Sequence, residues 1–480
     1  MGVGLMQLAM ASSQINNDIV DNPSISFFNY VFRKHTNFAM VNYILPFENL
    51  PSLLTNMHLG NDYYIKLAKP SDIDLLSKVY LVFTLPAIYS DDKFKFKWVE
   101  NVGALVIKKA TIHINNSIID TITGEWLVIW NELTLPVKDG FNNMTGNIPA
   151  LNNPRKPETT IRIRNNIVSD YDYLASDGIT PSIESRDVIV PLSFWFTKNP
   201  SLALPIINGE YYNIINLKIE FENIENLYTV YSDIYNIHVS PNFYNEIHKK
   251  KINITNFIKA NNFRAYVEAT YYVLDSCERA SLIDSYKSIV KDYVIENISY
   301  ISSEFPTSTA NSTKTVKINS QLAVKEIIWT LKRADCVYNF NNHLNYSYSI
   351  PKNNEKSIMK NAKIIWDKSN PNNRVEDREA YFYNTIQPYE YHSTVPMQGI
   401  YLYSFSLYPE KWFPSGFYDG ASVTTTLNMT FNPYEKNYLD TIYNKTSYDG
   451  SQNKIYCNIY VIQYNILRII SYNIKLKYAN

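Results

Sequence analysis

Among the side chains able to do chemistry, the histidines are the first to weigh, and their spacing argues against a site. The seven stand at His35, His58, His113, His238, His248, His343 and His392. They form no His-Glu-x-x-His and no close pair, so no local motif offers a zinc ion its ligands. The three cysteines, Cys277, Cys336 and Cys457, are far apart and no Cys-x-x-Cys occurs. Their odd number suits a reducing compartment better than a secreted disulfide scaffold, and all three are expected to be buried thiols outside any disulfide. Gly-x-Ser-x-Gly, Gly-x-x-x-x-Gly-Lys and Gly-x-Gly-x-x-Gly are absent from a chain with only 13 glycines, which removes the nucleophile elbow and the glycine-built phosphate cradles. The neighbouring carboxylates Asp91-Asp92 and Glu376-Asp377 could serve glycoside cleavage only if held about 5–9 Å apart across a sugar; as loop neighbours they read as solvated. No catalytic, cofactor-binding or metal-binding residue is therefore expected, and the chain reads as no enzyme.

Charge points the same way. Lys plus Arg and Asp plus Glu are 45 each, so no summed positive field exists to hold a polyphosphate chain through counterion release, and direct nucleic-acid binding is not expected. The run His248-Lys249-Lys250-Lys251 is too short in a neutral chain to change that, and reads as a solvated loop. Asn-x-Ser/Thr sequons occur at Asn115, Asn143, Asn253, Asn297, Asn311, Asn345, Asn428 and Asn444. In a chain this rich in Asn, chance supplies several of them, so they say little about glycan.

The elements that must carry whatever the protein does are strands. Aromatics reach 14%, with Tyr 40, Phe 22 and Trp 7, a usage that favours pleated, half-buried surfaces. Val79, Leu81, Phe83 and Leu85 alternate with Tyr80, Val82 and Thr84; Val106, Ala110, Ile112 and Ile114 repeat the pattern with Lys108 and Lys109 intervening imperfectly. The segments Trp126 to Trp130 and Ile455 to Val461 are read as continuing it. Clusters such as Asn115-Asn116-Ser117 and Pro351-Lys352-Asn353-Asn354 punctuate the runs. One helix is expected near Asp275, which can cap it with Glu278 three residues on. The stretches Lys138–Asp187, Glu304–Lys314 and Ser347–Lys360 are poor in alternation and read as long surface loops. No stretch approaches the roughly 20 apolar residues that span a bilayer.

The 480 residues exceed one core and suit two domains of about 200 residues each. The expected division is an arm over 1–24, a first domain over 25–235, a linker over 236–262 and a second domain over 263–480. Many short strands with few helical patterns make the class all-β, built as sandwiches or barrels.

A family resemblance sharpens this. The run Ile25-Ser26-Phe27-Phe28-Asn29-Tyr30-Val31-Phe32-Arg33-Lys34-His35-Thr36-Asn37-Phe38-Ala39 resembles the opening of the major capsid proteins of nucleocytoplasmic large DNA viruses. Further blocks follow in that family's order: Trp98 to Gly103, Ile119 to Leu127, Pro191 to Pro205, Tyr271 to Asp275 with Glu278-Arg279, and Val324 to Trp329. Gln387-Pro388-Tyr389, Gly399 to Glu410, Pro414-Ser415-Gly416 and Tyr464 to Ile469 complete a match over nearly the whole chain. Departures lie at Phe417 to Ser422, where the family has an Asn-Phe-Ser-Arg-like stretch, and at Ser471 to Lys475, which lacks the usual glycines.

The resemblance implies two consecutive eight-stranded jelly rolls with short helices in loops. It also implies homotrimers of pseudo-hexameric outline that tile an icosahedral shell with neighbouring trimers. Minor capsid and penton proteins, and an internal virion membrane, are the further neighbours it suggests. It implies a place in the virion and synthesis in the host cytoplasm. The alternative from another class is an all-β carbohydrate-binding or glycan-cleaving protein, since Tyr and Trp platforms on sandwiches stack on sugars; such a protein would work as a monomer.

Overall fold

The computed structural model describes residues 37–48, 62–67, 73–91, 93–154, 176–206, 213–259, 264–288, 290–306, 313–348, 357–366, 374–421, 424–433 and 454–478. The arm over 1–24, the run from Ile25 to Thr36, His35, His58, Asp92, Asn311 and Asn444 lie outside them.

The first half forms strands β1 (Phe38–Pro46), β2 (Asp62–Lys66), β3 (Leu75–Leu85), β4 (Ile107–Ile114), β5 (Ser117–Ile122), β6 (Arg186–Pro191), β7 (Ile215–Phe221) and β8 (Ala265–Leu274). One sheet runs β1-β8-β3-β6, with Leu204–Pro205 added beside β3; the other runs β2-β7-β4-β5. The second half forms β9 (Lys291–Pro306), β10 (Thr313–Ile318), β11 (Ala323–Arg333), β12 (Met359–Ile365), β13 (Arg374–Glu379), β14 (Ile400–Ser404), β15 (Thr425–Phe431) and β16 (Lys454–Ile470). Its sheets run β9-β16-β11-β14 and β10-β15-β12-β13. Position for position the two halves share one order: first, eighth, third, sixth facing second, seventh, fourth, fifth. Two such four-stranded walls, wound by antiparallel connections, make a jelly roll, and the chain is a double jelly roll.

Local chemistry accounts for the strands. On β3, Val79, Leu81, Phe83 and Leu85 are all buried while Tyr80 and Thr84 are only half so, as the alternation requires. The imperfect stretch at Lys108-Lys109 is a bulge: the β4–β7 register shifts between Ile107 and Lys109, and one extra residue resets which face follows.

Several expectations need correcting. Trp126 to Trp130 is not a strand but the middle of helix α1 (Gly124–Thr134). The Thr123 side chain accepts from the Trp126 amide at 3.2 Å, which caps the first turn, and because the helix is buried nearly all round its apolar period is masked. Past β6 the chain leaves the sheet at Pro191, and Trp195–Thr197 and Pro200–Leu202 are 3-10 turns. Within Lys138–Asp187 the described residues include helices Asp139–Thr145 and Pro149–Asn152 and the start of β6. Glu304–Pro306 still belongs to β9.

The largest correction concerns the join between the rolls. The run from Phe263 to Leu274 was expected to open the second roll. Instead Ala265–Leu274 lies between β1 and β3, pairing antiparallel with both, so it closes the first. Within the expected linker, Ile237–Val239 pairs with Tyr228–Ser232, and Pro241–His248 is a helix capped by Ser240. The helix expected at Asp275 is α2 (Ser276–Ser288). Asp275 Oδ2 accepts from the Cys277 amide at 3.4 Å, and Arg279 ion-pairs with buried Asp74 of the first roll at 2.8 Å.

Candidate functional site: the charged seam between the rolls

The feature that most distinguishes this molecule from two separate sandwiches is its shared wall. Strands β11 and β16 are buried on both faces. Trp329 and Leu331 of β11, with Ile459 and Val461 of β16, fill the second roll's own core. Ile328, Tyr460 and Ile462 pack instead into the core cluster that includes the first roll. Alternation along β11 then sends Glu326, Thr330 and Lys332 toward the first roll beside Ile328, so the sheet meets its neighbour with charge as well as hydrocarbon.

Helix α1 supplies the first answering group. Gly124 lets it start tight against the short helix Val102–Leu105 and the start of β4, since a Cβ there would sit 2.1 Å from the Ala104 carbonyl oxygen and 2.6 Å from that of Ile107. The next residue, Glu125, crosses the seam. Its carboxylate meets Lys332 Nζ at 2.9 Å and accepts from Asn458 Nδ2 at 2.8 Å, Thr330 Oγ1 at 3.0 Å and Tyr460 Oη at 3.1 Å. Burial alone would raise its pKa, but Lys332 and these donors hold it below the ordinary carboxylate range.

A second cluster lies further along. Lys198, in the turn after Trp195, ion-pairs with Glu296 of β9 at 2.6 Å, and Lys325 of β11 pairs with the other Glu296 oxygen. Lys325 is the extra residue where the β11–β16 register shifts between Val324 and Glu326, so adjacent Lys325 and Glu326 are both buried. Glu326 meets His392 Nε2 at 2.7 Å, and His392 Nδ1 lies 3.1 Å from Glu410. Burial pulls the imidazole down, but the two carboxylates outweigh it and hold it up at about 9. Protonated His392, Lys198 and Lys325 thus face Glu296, Glu326 and Glu410, three of each sign. Asp120 stands beside them with its pKa raised to about 7 by burial, against the opposing pull of the Ile298 and Thr121 amides that it accepts from at 3.2 and 3.0 Å.

Neutral bonds extend the seam. Asn341 Nδ2 donates to the Glu225 and Tyr228 carbonyls, both at 2.7 Å; the Ser240 hydroxyl donates to the Tyr338 carbonyl at 2.7 Å; Asn213 Nδ2 donates to the Tyr472 carbonyl at 2.6 Å. What this arrangement can do is mechanical. The Glu125–Lys332 and Lys198–Glu296 pairs cross the join, while Lys325 and the Glu326–His392–Glu410 chain lie within the second roll. Breaking one buried pair by removing a partner costs about 3–5 kcal/mol, so the crossing pairs hold the rolls together.

The residues singled out in the sequence fall elsewhere or do little. Asp91 is exposed and accepts from the Phe94 amide at 2.7 Å, a local turn. Glu376 pairs with Arg374 at 2.7 Å and Asp377 accepts from Asn361. His248 stacks on Tyr244 with centroids 3.9 Å apart, and Lys249 ends that helix. Cys336 and Cys457 are buried and none of the cysteines is in a disulfide, but Cys277, expected buried, is exposed on α2. Asn297 and Asn345 of the sequons are buried. Among the described residues no group of His, Cys, Asp or Glu converges to hold a metal ion, and no helix is long and apolar enough to cross a membrane. A cleft of about 850 Å³ opens along the seam; no Trp lines it, and its Lys108 and Lys332 are paired with Glu220 and Glu125. The sequence reading missed the seam itself. Its local signal was a strand, Ala323–Arg333, that sets Lys325, Glu326, Lys332 and Arg333 about the largely apolar run Ile327 to Leu331.

Comparison with known proteins agrees with the fold. A family model described as the large eukaryotic DNA virus major capsid protein matches residues 283–472, and one described as the major capsid protein N-terminus matches residues 26–268. The chain is 24% identical to the major capsid protein of Phaeocystis pouchetii virus, over 100% of both chains. It is 25% identical to probable capsid protein 4 of Acanthamoeba polyphaga mimivirus, over 90% of this chain and 91% of that one. Among solved structures, the PBCV-1 virus capsid matches with a TM-score of 0.66 at 19% identity, covering 95% of this chain and 100% of that one. The Faustovirus major capsid protein matches at 0.63 and 11% identity, covering 95% and 94%.

Proposed function

The chain belongs to the major capsid proteins of large eukaryotic DNA viruses, and from that premise we propose that three copies close into a ring whose six jelly rolls form one hexagonal tile of an icosahedral shell. The observation that carries this reading is the repeated strand order of the two rolls together with the buried charged seam that fixes them. Two similar wedges at a set angle are what a threefold ring needs to approximate sixfold outline. Closure by C3 symmetry makes the contacts heterologous yet finite.

Interfaces within the trimer bury more than about 2,000 Å² with apolar centres, as permanent assemblies do; contacts between trimers are smaller and more polar. Minor capsid and penton proteins are its other neighbours in the shell, with an internal membrane beneath, and the neutral chain makes no direct contact with the genome. It is made in the host cytoplasm and carries out no catalytic step. The first roll runs over Phe38–Leu274 and the second from Lys291, with α2 as the joint, a division supported by the β8 register.

Light scattering on purified protein tests the reading. A trimer of the 55.7 kDa chain gives about 167 kDa by threefold closure. A mass of 55.7 kDa at micromolar concentration overturns it.

A further inference from the structure

His392 and the loop after β14 form a device that shell-building alone does not require. The loop Ser406–Phe417 exposes Leu407, Tyr408, Trp412, Phe413 and Phe417, between 41% and 64%, an apolar surface on a stretch without regular structure. Its base is tied by backbone and hydroxyl bonds: the Tyr408 amide donates to Ser415 Oγ at 2.8 Å, and the Ser406 and Ser415 hydroxyls lie 2.6 Å apart. Its middle is tied through Glu410, which accepts from the Ser393 amide at 2.7 Å and faces His392 Nδ1 at 3.1 Å. The other imidazole nitrogen meets Glu326 at 2.7 Å. Glu326 Oε2 has no hydrogen-bond partner among the described residues, so His392 is what compensates this buried carboxylate.

The geometry points to a proton-operated clamp: His392, charged, ties the aromatic loop to the seam by bridging Glu326 and Glu410, and its deprotonation releases the loop. The groups around it leave the two carboxylates as its partners. On β11, Lys325 is engaged with Glu296. From the first roll, Lys198 pairs with Glu296 and lies 4.3 Å over the Trp130 ring, which stands T-shaped to the imidazole with ring centroids 6.2 Å apart. Glu132 of α1 is paired with Lys138. On the short helix Gln387–Tyr391 that ends just before it Glu390 is exposed, and on the loop so is Lys411.

The sign follows from linkage. A histidine held up at about 9 when clamped, against about 6.5 when released, contributes its full stabilisation below pH about 6.5 and loses it as pH rises through about 9. Release is therefore alkaline, not acidic.

Hydrogen exchange of residues 405–417 between pH 6 and 10, as protection corrected for intrinsic rate, tests the clamp on the full chain. Protection of the loop is expected to fall about 10- to 100-fold between pH about 6.5 and 9, while β11 and β16 stay protected. H392Q, which keeps hydrogen-bonding atoms but cannot carry the charge, is expected to show low and pH-flat loop protection. Wild-type protection that stays constant over this range, or an H392Q profile matching the wild type, overturns the proposal. Should H392Q not fold, E410Q decides: its side chain is 24% exposed, and a loop profile like the wild type's in that variant overturns the clamp equally.

Discussion

At the scale of single residues, the molecule separates side chains that fill from side chains that lock. Trp329 is fully buried, T-shaped against Tyr383 at 5.2 Å and stacked on Tyr401 at 5.8 Å; Trp195 is 2% exposed and edge-on to Phe196 at 5.1 Å. Truncating either to Ala is expected to cost about 3–5 kcal/mol in denaturant unfolding, and wild-type stability in either variant contradicts the packing. Asp120 behaves in the opposite sense. Its raised pKa means that the folded state resists the charge, so stability is lost as pH rises from about 4 toward 7. Replacing it with Asn is expected to stabilise the protein by about 1–2 kcal/mol above pH 7 and to change little at pH 4; equal effects at both pH values in thermal melts contradict this. The sequence made fillers such as Val79, Leu81, Phe83 and Leu85 legible, because alternation marks them. It concealed the lockers, because Glu326 and His392 stand 66 positions apart and only the fold brings them together.

At the scale of elements, strands were readable from their pattern, whereas a helix dry on every side was not. β3 announced itself through alternation, and Ile455 to Val461 was read as strand and lies in β16, but α1 is buried nearly all round, so the period that separates helix from strand is hidden there. That is why Trp126 to Trp130 read as a strand. The closing strand of the first roll misled for another reason: the eighth strand of a jelly roll lies between the first and the third, and sequence adjacency to the second roll says nothing about that pairing. The seam elements make a testable unit. Glu125→Ala and Lys332→Ala are each expected to cost about 3–5 kcal/mol, because each strands a buried charge, while the double variant costs clearly less than the sum of the two. Additive losses in a double-mutant cycle contradict a shared seam.

At the scale of the whole molecule, the double jelly roll was legible through ordered family blocks spread along the chain, and its position-for-position repeat confirms that reading. The seam was not legible, and it turns two sandwiches into one wedge. A flexible pair of rolls cannot hold the angle a threefold ring demands. Direct imaging of purified protein by electron microscopy tests the rigidity of the pair. Class averages of hexagonal outline with threefold symmetry and six lobes of density, two from each copy at a constant angle, are the expected result. Isolated two-lobed particles, or lobes whose mutual angle varies from particle to particle, contradict it.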